Sequence, residues 1–175
     1  MTKEYPWYEI AKGEDDLLQG DFVDECPIVI PPMDVLEKVE VAVDINKYNV
    51  VVISQSCDIA QKKLDLVLVC PVWPLEDVGK KEDYYNGRAG KEALRRGHIP
   101  SYHLLNKCEL EGFRKDYQVV DFRNVFGVPI DLLQNLARSK EKRLRLLPPY
   151  REHLSQSFAR FFMRVGLPAE IPAFK

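Results

Sequence analysis

The sequence predicts an α+β domain in which a small, strongly bent antiparallel sheet is followed by a helical C-terminal part. Three observations carry this. A β-branched run, Val50, Val51, Val52 and Ile53, has the composition of a strand buried on both faces. Residues 38–45 place Val39, Val41, Val43 and Ile45 in alternation with Lys38, Glu40, Ala42 and Asp44, the period of a half-buried strand. Beyond residue 129 the apolar spacing changes to that of helices.

Residues 1–18 are polar with an aromatic cluster, Tyr5, Trp7 and Tyr8, and read as an irregular N-terminal arm. Residues 20–30 offer two short apolar stretches broken by Asp24 and Glu25, a first strand pair that Pro31 and Pro32 stop. Residues 46–49 read as a turn that joins residues 38–45 and 50–53 into a hairpin. After a polar loop at 54–63, residues 64–69 form another strand, ended by Pro71 and Pro74.

Residues 75–106 change character, with charges, four glycines and a short helical stretch at 91–96, and read as an insertion covering the sheet. Residues 117–122 return to a strand pattern. The expected organisation is one domain, 1–175: the arm, a sheet over 19–128 that contains the 75–106 insertion, and helices over 129–175. In the last part, residues 130–139 group Leu132, Leu133 and Leu136, with Asp131 near the helix start where a negative charge suits the dipole. A longer helix at 150–165 packs through Leu154, Phe158 and Phe162.

No run approaches the roughly 18 apolar residues of a membrane span. Cys26, Cys57, Cys70 and Cys108 show no paired framework, so the expectation is reduced thiols in a cytoplasmic protein, with no membrane partner. The cysteines and three histidines lack metal-ligand spacing, no glycine-rich phosphate loop occurs, and neither metal nor cofactor is expected.

The net charge of −2 hides a polarity. Residues 1–79 hold 16 acids against 6 bases, residues 80–175 hold 11 acids against 19 bases, and all eleven arginines lie from Arg88 onward. The two halves attract each other in the fold, or the basic half faces a polyanion, or a mixed surface produces the same counts. The candidate binding residues are Arg138, Lys142, Arg143, Arg145, Arg151, Arg160 and Arg164, read as helical. They suit RNA, an acidic protein surface or the acidic half of a second copy in a homodimer; a solvated helical face is the other reading.

A second candidate site is the polar end of the valine-rich strand: Ser54, Gln55, Ser56, Cys57 and Asp58. Cys57 becomes a hydrolase nucleophile if His98, His103 or His153 reaches it. In the alternative, Cys57 is a small buried hydrophobe, and Ser56 and Asp58 cap the turn at 59–63.

The order of Gly20-Asp21-Phe22, the strand ending at Ser54, the strand ending Cys70-Pro71-Val72 and the strand running into a helix at Ile130 resembles the MazF/PemK family of toxin barrels. The resemblance spans residues 20–136, with 75–106 as an insertion. It implies an SH3-like barrel and metal-independent RNA cleavage supported by arginine and threonine. Here no arginine precedes Arg88 and Trp73 stands where the family has threonine, so Arg88, Arg95 or Arg96 would have to supply the cation. The segment also resembles a bacterial group whose strand ends Ser-x-x-Cys-Asp, matched by Ser54, Cys57 and Asp58.

Overall fold

The computed structural model describes residues 5–33, 36 and 42–163. Among these, the chain forms eight strands and five α-helices: β1 (Tyr8–Lys12), β2 (Phe22–Ile30), β3 (Asp44–Val52), α1 (Ser56–Ala60), β4 (Leu66–Pro74), α2 (Leu75–Lys81), α3 (Arg88–Arg95), β5 (Tyr102–Leu105), β6 (Gln118–Asp121), β7 (Phe126–Pro129), α4 (Ile130–Ser139), β8 (Lys142–Leu146) and α5 (Tyr150–Phe162). A 3-10 turn, Asp83–Asn86, links α2 to α3.

The α+β class holds. Six strands make one antiparallel sheet in the order β2-β3-β4-β6-β5, with β7 also on β4, and β1 pairs with β8 in a two-stranded ribbon. The sheet does not close into a barrel. The ribbon joins it through the Asp21–Arg145 bridge and a 2.9 Å hydrogen bond from Leu146 N to the Gly20 carbonyl. Gly20 holds a φ of +86° there, and a Cβ would lie 3.2 Å from the Leu146 carbonyl oxygen, so a side chain is disfavoured twice.

The valine run occupies the middle of the sheet for the reason its composition suggested. Val51 and Ile53 point into a core with Phe22, Phe122, Leu146 and Leu154. Val50 and Val52 point into the opposite core with Val67, Val69, Val128 and Leu133 under α4. Alternation sends neighbours to opposite faces, and both faces are covered. A third cluster, Val78, Tyr85, Leu94, Tyr102 and Val119, seats the helices of the 75–106 segment on β5 and β6.

Several local expectations change. Residues 8–12 are a strand, not an irregular arm, because the ribbon with β8 satisfies their backbone. Residues 22–30 are one strand with a bulge at Asp24 and Glu25, where Glu25 takes a φ of 59° and its N–H donates to Asn49 Oδ1. Residues 46–49 are not a turn: Asn46, Lys47 and Tyr48 lie in β3 opposite Ile28, Pro27 and Cys26, and the hairpin partner is β2. Of the expected half-buried alternating strand, Val39 and Val41 lie outside the described residues, while Val43 and Ile45 are exposed rather than buried.

β4 runs through Pro71 instead of stopping there. Ile53 N bonds the Leu68 carbonyl, so by alternation Val50 and Pro71 form a non-hydrogen-bonded pair, and the proline nitrogen faces away from β3. On that side β7 pairing ends at Val69 and β6 pairing begins at Val72, and the missing N–H falls in the gap. The 75–106 segment is not wholly an excursion, since its last part supplies β5. Nor is everything after 129 helical, since β8 interrupts it. In α5, Leu154 is fully buried and Phe158 and Phe161 pack beside it, whereas Phe162 is 58% exposed.

Candidate functional site

The end of β3 reaches the rim of the sheet, where Gln55 and Cys57 are exposed. Its serines serve the backbone. Ser54 Oγ accepts from Leu68 N at 2.8 Å, and Ser56 Oγ accepts from Gln19 N at 3.0 Å. The expected capping by Ser56 and Asp58 is replaced by α1, whose N-cap position is Gln55 with no side-chain cap. Cys57 is not the buried hydrophobe of the alternative reading. Its thiol lies 3.8 Å from Asp58 Oδ1, and among the described residues no histidine is hydrogen-bonded to it. An exposed thiol beside a carboxylate lacks the base or cation that activates a nucleophile.

The basic residues expected to act together are separated. β8 is a strand because Leu144 and Leu146 face the core while Arg143 and Arg145 face the other side. Arg143 is buried, with Nε donating to Asp21 Oδ2 at 2.7 Å and Nη2 donating to the carbonyls of Asp15 and Asp16 at 2.8 and 2.7 Å. Arg145 donates from Nε to Asp21 Oδ1 at 2.5 Å and from Nη2 to Asp21 Oδ2 at 2.9 Å. Arg145 Nη1 also lies 3.7 Å from Glu9 Oε1, so two carboxylates of the acidic half offset the two arginines inside the fold. Arg151 is spent on Glu152 at 2.7 Å. Arg138 and Lys142 are exposed near the α4–β8 connection, and Arg164 lies outside the described residues.

Arg160 has a different setting. On α5 the residues His153, Gln156, Ser157 and Arg160 are spaced i, i+3, i+4 and i+7, so they share one face, offset from the apolar face of Leu154, Phe158 and Phe161. That polar face forms one wall of a cleft of about 270 Å3. The opposite wall is the end of α3 and the loop after it, with Arg95 and Arg96, and β5 contributes Tyr102 and His103. No carboxylate lines the cleft among the described residues.

Glu92 lies just outside it and is bonded by both arginines: Arg95 through Nε and Nη2 at 2.8 and 2.6 Å, and Arg96 through Nε alone at 2.6 Å. Those bonds hold the Glu92 carboxyl down at about 2. The terminal nitrogens of Arg96 stay available, and Arg160 makes no ion pair among the described residues.

His103 is partly buried as a residue, but its Nε2 is sealed from solvent with no hydrogen-bond partner. Burial, and next the charge of His153, push this imidazole down to about 4, so it is neutral at pH 7. Beside it, Tyr102 and Arg123 belong to a paired network: Arg123 grips the buried Asp121 at 2.9 and 3.0 Å, and Tyr102 donates to Glu82 at 3.1 Å. Sequence reasoning weighed His103 and His153 only as partners for Cys57. The polar stripe of α5 was readable from its helical spacing, but its pairing with α3 was not.

No helix among the described residues is long and apolar enough to cross a membrane. The described residues also hold no cluster of three or more histidine, cysteine, aspartate or glutamate side chains suited to a metal. No family model matches the chain, and no curated protein matches it. Fold and site together define an α+β protein with a cationic cleft between α3 and α5.

Proposed function

We propose that this is a nucleic-acid-binding protein of the cytoplasm that takes a sugar–phosphate backbone in the cleft between α3 and α5. The observation that supports it is the convergence of Arg95, Arg96 and Arg160 on one concavity without a lining carboxylate among the described residues. Phosphate contacts dominate the affinity of such proteins, and arginine, serine and glutamine donors are the groups that make them. Of the basic residues expected from the sequence, the exposed Arg138 and Lys142 belong to another part of the chain and do not line this cleft.

The test is fluorescence anisotropy with labelled RNA and DNA oligonucleotides across a salt series. Binding should weaken linearly in log salt, and Arg96→Ala and Arg160→Ala should each cost at least about tenfold and lower the slope by about one. Arg138→Ala should change little. Absence of salt-sensitive binding, or an equal loss in Arg138→Ala, would refute the reading. The same samples on a denaturing gel report strand cleavage, the activity that the toxin-barrel resemblance implies. Solution mass at low and high salt reports whether the basic half docks a second copy instead.

A further inference from the structure

The cleft is a half-open concavity of about 270 Å3. Donors stand on both walls: the terminal nitrogens of Arg96 on one, Arg160, Gln156 and Ser157 on the other. His103 of β5 lines the same cleft. Three arginines less the one charge of Glu92 leave two positive charges over a neutral imidazole. An internal phosphodiester carries one negative charge and chain on both sides, so it suits a rim. A phosphomonoester carries up to two charges and three free oxygens, so it enters a recess end-first and meets both walls.

His103 Nε2 supplies a second, independent observation. It is a buried side-chain nitrogen without a hydrogen-bond partner among the described residues, and such groups call for an explanation. The side chains of its cleft neighbours His153 and Arg160 are exposed and make no hydrogen bond among the described residues.

Resting on the nucleic-acid reading above, we propose that this recess receives the terminal phosphate of a nucleic-acid strand, with Arg96 and Arg160 as its walls and His103 as its floor. On entry, His153 and Arg160 turn toward the anion and uncover the imidazole, whose Nε2 gains a phosphate oxygen as partner. A bound dianion also offsets the burial and the neighbouring charge that keep His103 neutral, so binding draws a proton onto it. The charged and titratable groups that line the cleft with His103 are His153 and Arg160 from α5, Arg95 at the end of α3, Arg96 after it, and Tyr102 from β5; of these, His153 acts on the charge of the imidazole.

The experiment compares one RNA sequence with a 5′-phosphate, a 3′-phosphate or hydroxyls at both ends. One phosphorylated end should bind at least about tenfold tighter than the hydroxyl form, and which end identifies the strand polarity. Arg160→Ala should erase that preference while leaving the fold intact. Sulfate, which stays dianionic from pH 4 to 8, is the second probe. Its affinity should rise as pH falls, and rise less steeply in His103→Gln.

If all three RNAs bind equally and the cleft variants weaken all of them, the terminal-phosphate proposal fails and the nucleic-acid reading stands. If sulfate binds but no oligonucleotide does, both fail as claims about nucleic acid. Equal sulfate profiles for the wild type and a folded His103→Gln would remove His103 from the site.

Discussion

Arg143 donates its Nε to the Asp21 carboxylate at 2.7 Å, so the last strand and the residue just before β2 share one buried ion pair across 122 positions of sequence. Arg145 joins the same carboxylate, and the remaining donors of Arg143 hold the backbone of the loop after β1. The cluster is therefore a clasp between the ribbon and the sheet. Removing one partner strands buried charge, which costs about 3 to 5 kcal/mol. Asp21→Asn and Arg143→Met should each lower stability in urea by at least about 3 kcal/mol, and the double variant should lose less than the sum. A loss under about 1 kcal/mol for Asp21→Asn would count against the clasp.

Helix α5 is anchored by one residue more than by its aromatic end. Leu154 is 1% exposed in the larger core, so Leu154→Ala should cost about 2 to 5 kcal/mol. Phe162 is mostly exposed, and Phe162→Ala should stay within about 1 kcal/mol. Thermal or urea unfolding of the two variants decides this, and equal losses would show that the helix end is buried after all.

His103 makes stability depend on acid. Its folded value is near 4 against an ordinary value of 6.5, so between these limits the unfolded chain binds a proton that the native chain refuses. Stability therefore falls as pH drops from about 6.5 to about 4 and levels off below. The full effect is roughly 3 kcal/mol for a shift of this size. His103→Gln should flatten that part of the stability curve. An unchanged acid limb would mean that the imidazole is solvated.

Only one of the four thiols should react in the native protein. Cys26 and Cys70 are buried, and burial pushes their thiols up to about 11 and about 12; Cys108 is buried as well. A disulfide reagent at pH 8 should titrate one fast thiol in the native state and four in denaturant, and Cys57→Ser should abolish the fast phase. Two or more fast thiols would mean that the core opens locally.

Much of the fold was legible where one local pattern had one physical meaning. The β-branched run at residues 50–53 could be stable only as a doubly covered strand, and residues 130–139 and 150–162 carried helical spacing. β8 was misread because its arginines looked like a solvated face. Yet Arg143 and Arg145 alternate with Leu144 and Leu146, the period of a strand. β4 was cut short at Pro71 because the rule that proline ends a strand ignores which side of the ladder the nitrogen faces.

The exposed site followed the same division. The polar end of β3 was found in the right place, but its serines are committed to Leu68 and Gln19, partners that only the folded chain supplies. The α5 stripe was visible as spacing, whereas the α3 wall opposite it belongs to a segment read as a cover.

Composition and periodicity determined the α+β class, the burial of residues 50–53, the two C-terminal helices and the absence of a membrane-spanning apolar run, because each depends on neighbours close in sequence. Tertiary structure alone decided which arginines are consumed and which are available. Arg143 and Arg145 are paired with Asp21 and Glu9, carboxylates more than a hundred residues away, while Arg96 and Arg160 line one cleft. Charge pairing depends on distance in space, and no local pattern records it.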